Sequence, residues 1–197
     1  MIDNLLLEEY GANLDVFSKG DFLFHEGDRA KFYFQVRKGK IKMFNVNSEG
    51  KTFVQGIFKA NESFGEPPLF DESPYPACAV AETETTMYKL SKSRFLKLLE
   101  QNPNVHLKFT KTLATRLKYK SMLLKEISSS KPEHRILSLI DHIKKETPSK
   151  INEKLMVKLT RQQIADLTGL RVETVIRSVK MLEKEGALEI INRKIYR

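Results

Sequence analysis

The chain has 197 residues, 41% of them hydrophobic, and a net charge of +9 at pH 7, a composition that supports a packed core and excludes global disorder. No run approaches the roughly 20 apolar residues of a membrane span, and the first residues lack the basic segment of a signal peptide. The single cysteine, Cys78, excludes an internal disulfide and a four-cysteine zinc or iron–sulfur site within one chain, so we expect a cytoplasmic protein.

Residues 1–100 are predicted to form an antiparallel β domain. Short apolar runs are separated by turn residues, and Ile41 and Met43 alternate with lysines in the period-two pattern of a half-buried strand. Many short strands at regular spacing favour a sandwich or barrel. Four prolines keep residues 67–76 out of any central strand. The predicted strands are 21–24, 32–36, 41–46, 53–58, 77–81 and 87–90.

From Ser91 onward the apolar spacing becomes helical. A short helix is predicted at 92–101, and Asn102-Pro103 is a favourable start for a long one. So long a helix with one apolar stripe must bury that stripe, and a seam with a second copy is one solution. Packing against its own β domain is the alternative. The stripe consists of Phe109, Leu113, Leu117, Lys120, Leu124 and Ile127.

A hinge is predicted where the helical pattern breaks, between Ser128 and Pro132. Three consecutive serines disfavour helix, and the residue before a proline is pushed towards extended geometry. Helix is expected to resume over about 132–145, followed by a loop at 147–150 and a short strand around Val157.

The strongest motif occupies residues 160–186. Thr160 and Gln163 form a capping box, Gly169 suits a tight turn, and a second helix is predicted over 172–184. Two short helices around a glycine turn are typical of a DNA-binding helix-turn-helix. Outward-facing side chains near the start of the second helix would meet base edges.

The charge distribution agrees with a nucleic-acid partner. Residues 1–100 contain 13 Lys/Arg and 15 Asp/Glu, whereas residues 101–197 contain 21 and 10. A basic half suits a polyanion, because each neutralised phosphate releases condensed counterions. A solvated basic surface is the alternative interpretation.

These motifs, with Phe64-Gly65-Glu66 and Leu69-Phe70 in the β domain, resemble the cAMP receptor protein/FNR family over nearly the whole chain. The resemblance implies an α+β protein: an N-terminal antiparallel β-roll of the cyclic-nucleotide-binding jelly-roll type in residues 1–100, a dimerisation helix in 101–130, and a winged helix-turn-helix in 131–197. It implies a sequence-specific transcription regulator and not an enzyme. It also implies a homodimer through residues 103–128 that binds a palindromic site on double-stranded DNA, with RNA polymerase as a further candidate partner.

The resemblance also assigns residue roles. In the family, a glutamate and an arginine of the recognition helix read the half-site, and they correspond to Glu173 and Arg177. Val172 and Ile176 depart from family members that place arginine or serine there, and an apolar Ile176 suits a thymine methyl. The DNA-binding residues implied are Thr160, Arg161, Gln162, Arg171, Glu173, Thr174, Ile176, Arg177 and Lys180.

The implied effector pocket departs from the family at its centre. Cyclic-nucleotide binders use an arginine against the phosphate, but that position falls here at Tyr75 or Pro76, neither of which is a cation. We therefore expect weak or absent cAMP binding, control by an effector other than cAMP that the sequence does not identify, no identified cofactor and no metal. A cyclic-nucleotide-binding regulatory module and a ligand-independent regulator stay open as alternatives. The pocket residues implied are Phe64, Gly65, Glu66, Tyr75, Ala77, Lys120 and Ser121.

Overall fold

The computed structural model of the chain describes residues 1–48, 50, 52–129, 131–146 and 154–197. They form two compact units, Met1–Ala114 and Thr115–Arg197, whose boundary lies within one long helix. The division into three segments at residues 100 and 130 stays a prediction. The predicted loop at 147–150 and Ser130 of the predicted hinge lie outside the described residues.

The first unit is built on eight strands in two antiparallel sheets. The strands are β1 Asn13–Phe17, β2 Phe22–Phe24, β3 Phe32–Lys38, β4 Lys40–Val46, β5 Thr52–Lys59, β6 Ser63–Phe64, β7 Cys78–Ala81 and β8 Thr85–Ser91. The strand orders of the two sheets are β1-β8-β3-β6 and β2-β7-β4-β5. The helices are α1 Asn4–Glu9, α2 Pro68–Asp71, α3 Lys92–Gln101 and the beginning of α4 Pro103–Ser129. The predicted α+β fold with an antiparallel β-roll is confirmed.

Aromatic packing holds this unit together, and residues of both sheets share one core. Tyr33 stacks on Phe95 of α3 with ring centroids 4.4 Å apart, and Phe34 stacks on Phe64 at 5.6 Å. Offset and edge-on aromatic pairs add to the stabilisation from burial alone. Residues 33–36 of β3 are therefore buried on both faces, which explains why the apolar side chains there do not alternate with exposed polar ones.

Two elements at the start of the chain were absent from the sequence-based expectations. Helix α1 is capped by Asp3, whose carboxylate accepts a hydrogen bond from the Leu5 N–H at 2.9 Å. Its neighbour β1 pairs with β8 from Asn13 to Phe17. Both segments are short, and their order comes from tertiary contacts such as the buried bond from the Ile2 N–H to Gln35 Oε1.

The second unit contains the remainder of α4, three further helices and a small sheet. These elements are α5 Pro132–Glu146, β9 Met156–Val157, α6 Arg161–Thr168, α7 Val172–Lys184, β10 Glu189–Ile191 and β11 Lys194–Tyr196. The sheet order is β10-β11-β9, and all its pairs are antiparallel. Ile136, Ile140, Ile164, Val175 and Val179 are fully buried in one core. This arrangement is the predicted winged helix-turn-helix.

Helix α4 differs from its prediction in two ways. It continues through Ser128 and Ser129, which were predicted to lie in the break. Each serine destabilises a helix by only about a few tenths of a kcal/mol, whereas a proline restricts the backbone of the residue before it. The helix therefore ends closer to Pro132 than predicted. Its apolar stripe is also divided. Phe109 and Leu113 pack into the first unit's core, whereas Leu117 and Leu124 are 69% and 67% exposed.

No helix among the described residues combines the length and the apolar character needed to cross a membrane.

Candidate nucleic-acid interface

The first helix of the motif begins at a complete capping box. The Gln163 N–H donates to Thr160 Oγ1 at 3.1 Å, and the Thr160 N–H donates to Gln163 Oε1 at 3.0 Å. These two bonds satisfy donors that a helix N-terminus otherwise leaves unpaired. Thr160 is exposed beside Arg161, which is half-buried. The cap therefore fixes the start of α6 at the protein surface.

A glycine turn joins α6 to α7. Gly169 adopts a left-handed conformation with φ of 67°, and its N–H returns to the Ala165 carbonyl. A residue with a side chain would be strained at this angle. The turn brings α7 onto the core through Val175, Val179 and Leu182, all at most 2% exposed. The orientation of the second helix is consequently set by this turn and by the buried face.

The opposite face of α7 is open to solvent. Glu173, Ile176, Arg177 and Lys180 are all exposed, and their spacing of three, one and three residues places them on one side of a helix. Thr174 is half-buried, and Arg171 and Gln162 are exposed. The predicted DNA-binding residues thus lie on the surface of α6 and α7, with the proposed base-reading side chains together.

A basic groove of about 510 Å³ lies between the wing and the start of α6. Its lining includes Lys158, Arg161, Arg193 and Lys194. The wing turn is tight, since Asn192 and Arg193 both have positive φ, 50° and 63°, and it carries its cations at the tip between β10 and β11. Lys158 was missed by the sequence interpretation, because next to a two-residue strand it resembles an ordinary solvent-facing lysine.

Comparison with known proteins agrees with this geometry. The cyclic nucleotide-binding domain family matches residues 14–102, and the Crp-like helix-turn-helix domain family matches residues 134–196. The chain belongs to the CRP/FNR family of transcription regulators. Its members are DNA-binding regulators and not enzymes.

Curated relatives of this CRP/FNR regulator cover most of its length. It is 28% identical over 175 residues to the cAMP-activated global transcriptional regulator CRP of Haemophilus influenzae, an alignment that spans 88% of this chain and 78% of that protein. It is 23% identical over 180 residues to the transcriptional activator protein anr of Pseudomonas aeruginosa, spanning 90% and 73%.

Solved structures share the fold of the regulator. A CooA mutant from Carboxydothermus hydrogenoformans superposes with a TM-score of 0.83 at 21% identity, covering all of this chain and 86% of that one. The c-di-GMP responsive global regulator CLP of Xanthomonas campestris gives 0.77 at 20% identity, covering 98% of both chains.

The β-roll of the regulator brings five of the predicted effector residues into its interior. Phe64, Glu66, Tyr75 and Ala77 are each at most 3% exposed, and Gly65 lies among them. Tyr75 stacks on Phe24 with centroids 3.6 Å apart. A Cβ atom at Gly65 would lie 3.1 Å from the Phe24 ring and 3.2 Å from the Tyr75 ring. The aromatic pair therefore occupies the space directly beside the Gly65-Glu66 turn.

Two titratable groups, Glu66 and Tyr75, lie in this interior. The Ser63 hydroxyl donates a short hydrogen bond to buried Glu66. Burial is the main cause that raises the pKa of Tyr75, and the carboxylates of Asp28 and Glu66 act in the same direction. Tyr75 is consequently a neutral phenol, and the cassette of residues 65–77 contains no lysine or arginine.

Lys120 and Ser121 lie on α4 in the second unit, and their predicted part in the effector pocket stays a prediction. Burial lowers the pKa of Lys120, and the positive charge of Arg116 contributes to the shift. Ser121 is exposed, and its hydroxyl donates to the Leu117 carbonyl at 3.0 Å. Among the described residues no group of three or more His, Cys, Asp or Glu side chains is placed to hold a metal ion.

Proposed function

We propose that this regulator acts as a homodimer that inserts one α7 helix from each copy into successive major grooves of a palindromic DNA site. The observation that carries the proposal is the single exposed face formed by Glu173, Ile176, Arg177 and Lys180. Arginine bonds bidentately to guanine, glutamate accepts from cytosine, and an apolar side chain meets the thymine methyl.

Phosphate contacts would position this helix on the duplex. The exposed cap at Thr160, the neighbouring Gln162 and the basic groove at the wing lie on the same unit as α7. Such contacts set register and orientation without reading sequence. The base preference therefore rests on the α7 face, and the affinity rests largely on the cations around it.

Selection of bound sequences from a random duplex pool tests the proposal. We expect an inverted repeat whose half-sites are centred about one helical turn apart, as two symmetry-related recognition helices require. Binding without any sequence preference, or a single asymmetric half-site, would contradict it. Repeating the selection with cell extract reports whether an effector is needed.

Dimerisation through α4 is supported by leucines of this helix that are exposed in the single chain. Leu107, Leu117 and Leu124 are 55%, 69% and 67% exposed. With Thr110, Ala114 and Ser121, which are also exposed, they recur at alternating intervals of three and four residues, the repeat of a coiled-coil seam. Exposed leucines on a helix face whose other members have small side chains indicate an interaction surface.

We also propose that the β-roll does not respond to cAMP. Tyr75 fills the region beside Gly65 and Glu66, and a cyclic phosphate placed there would meet the Glu66 carboxylate without a cation from the cassette. We propose instead that the regulator responds to a different effector or acts without a ligand. Titration calorimetry with cAMP up to the millimolar range is expected to give no heat of binding, and micromolar affinity would contradict the proposal.

Contact with RNA polymerase is a further part of the proposal, and it is supported by a relative that is named as a transcriptional activator. A bacterial transcription assay with the selected site upstream of a promoter is expected to show a change in transcript yield on addition of the protein.

A further inference from the structure

A cavity of about 270 Å³ lies in the first unit beside the loop that joins β2 to β3, and it is called the loop cavity below. Its volume corresponds to roughly nine water molecules at about 30 Å³ each. The loop cavity therefore has room for a one-ring organic compound and not for a nucleotide. Of the predicted effector residues only Tyr75 lines it, so it is distinct from the place beside Gly65 and Glu66 where a cyclic nucleotide was tested above.

Aromatic rings form the walls of the loop cavity. Phe24, Phe34 and Tyr75 are each at most 5% exposed, and Phe32 is half-buried beside them. The Phe24 ring centroid lies 3.6 Å from that of Tyr75 and 6.0 Å from that of Phe34. Because these rings pack on one another, the walls are formed without help from a ligand. A planar ring entering the cavity would gain offset or edge-on contacts with them.

Two cations, Arg29 and Lys31, also line the loop cavity. They are exposed on either side of the buried Ala30, and neither forms an ion pair with another of the described residues. The pKa of nearby Glu72 is lowered mainly by its hydrogen bond with Lys92, whereas the charge of Arg29 contributes least. The guanidinium and the ammonium group are therefore available to an anion in the cavity.

Backbone hydrogen bonds hold the loop of these cations against the aromatic walls. Arg29 forms an antiparallel bridge with Pro74, and the Tyr75 N–H donates to the Asp28 carbonyl at 2.9 Å. The Lys31 carbonyl accepts from the N–H of the first residue of α3, also at 2.9 Å. A loop that is already held in this way need not be ordered when a ligand binds, which favours affinity.

The charges of the lining select a monoanion. Of the described residues that line the loop cavity, only Asp28 is acidic, and its carboxylate accepts from the His25 N–H at 2.7 Å. With Arg29 and Lys31 it leaves a net charge of +1 at neutral pH. A carboxylate neutralises that charge and matches the two parallel donors of an arginine. A phosphate dianion would instead leave an excess negative charge beside Asp28.

We infer that the loop cavity binds a small aromatic monocarboxylate, with the ring against Phe32 and Phe34 and the carboxylate on Arg29 and Lys31. The cation that the cassette of residues 65–77 lacks is supplied here by a different loop. The inference goes beyond the proposed function, which leaves the effector unidentified, and it concerns the first unit alone.

Titration calorimetry of the full chain with cinnamate, a one-ring monocarboxylate, tests the inference. We expect a dissociation constant of about 0.1 to 1 mM, the range for a ligand of about eleven non-hydrogen atoms. Cinnamamide has the same ring without the charge, and it should bind about 10-fold more weakly. Phenyl phosphate at a pH of about 8, where it is a dianion, should also bind more weakly than cinnamate.

Three substitutions and a control assign the binding to the loop cavity. Arg29→Gln should weaken cinnamate binding about 5- to 20-fold, as for a charge-assisted hydrogen bond, and Lys31→Gln about 2- to 5-fold, as for an exposed ion pair. Asp28→Asn keeps an acceptor for the His25 N–H but removes the charge, so phenyl phosphate should bind more tightly. Lys19→Gln removes an exposed lysine of the same unit outside the cavity and should change nothing.

No heat of binding with cinnamate up to concentrations well above the millimolar range overturns the inference. Equal affinity for cinnamate and cinnamamide also overturns it, as does unchanged affinity in both Arg29→Gln and Lys31→Gln. The side chains of Arg29 and Lys31 are exposed, so both variants should fold, and their melting temperatures check this. No DNA enters these titrations, so their failure leaves the proposed DNA recognition standing. A protein without base preference would contradict only the proposed function.

Discussion

Tyr119 of α4 stacks on His142 of α5, with ring centroids 3.7 Å apart and planes inclined by 13°. The two helices follow each other in sequence, so this contact fixes the angle at which the second follows the first within their unit. Tyr119 also packs against the core that includes Ile136, Ile140 and Val179. The stack therefore connects the second half of the long helix to the core that also holds the buried face of the recognition helix.

Removing the histidine ring should destabilise the second unit. For His142→Ala we expect the free energy of unfolding to fall by about 1 kcal/mol, the contribution of one aromatic pair, measured by chemical denaturation. His134→Ala is the control, because His134 is exposed on the same helix. Equal stability of the two variants would show that the stack contributes nothing.

Alkaline pH should reveal the burial of Tyr119. Burial raises its pKa to about 12, whereas an unfolded tyrosine titrates near pH 10. Above pH 10 the unfolded chain therefore releases this proton before the folded chain does, and stability falls as pH rises from about 10 to 12. Tyr119→Phe keeps the stack but cannot ionise, so its stability should fall less steeply over this interval. Parallel curves for the two proteins would contradict the prediction.

Arg177 should contribute to base preference, whereas Lys180 should contribute to the affinity for every duplex. Arg177→Ala is expected to lose about 1–3 kcal/mol on the selected site and to relax preference at one base pair. Lys180→Ala should weaken binding to all duplexes and reduce the salt slope by about one. Fluorescence anisotropy over a range of salt concentrations measures both effects. An equal loss of affinity of Arg177→Ala for all duplexes would show that Arg177 contacts phosphate and does not read a base.

The protein should dimerise through α4, and the dimer should become more stable as the salt concentration rises. Residues 103–129 contain six Lys/Arg and one Glu, so two parallel copies repel each other until salt screens the charges. Leu117→Glu should produce monomers in sedimentation velocity. Leu5→Glu, at a leucine 74% exposed on α1, is the control and should leave the dimer intact. Weaker dimerisation at high salt would contradict the charge argument.

The helix-turn-helix could be predicted almost residue by residue, because its signals are local. The predicted second helix matches Val172–Lys184, and the capping box and Gly169 act within four residues of their own positions. The predicted helix at 92–101 likewise matches Lys92–Gln101. Helix α1 and strand β1 were missed, since short segments gain their order from distant partners.

The sequence by itself determined the order of the β-roll, the long helix and the helix-turn-helix, and it placed Glu173 and Arg177 on one outward face. Periodicity, caps and glycine turns are properties of neighbouring residues, and they carry this information without a folded partner. Only the tertiary structure decided that Tyr75 stacks on Phe24, that the stripe of α4 divides between core and solvent, and that Ser178 bonds to Glu133. Each of these features depends on residues that are far apart in the sequence. Which of those side chains meet is set by the packing of all the elements together.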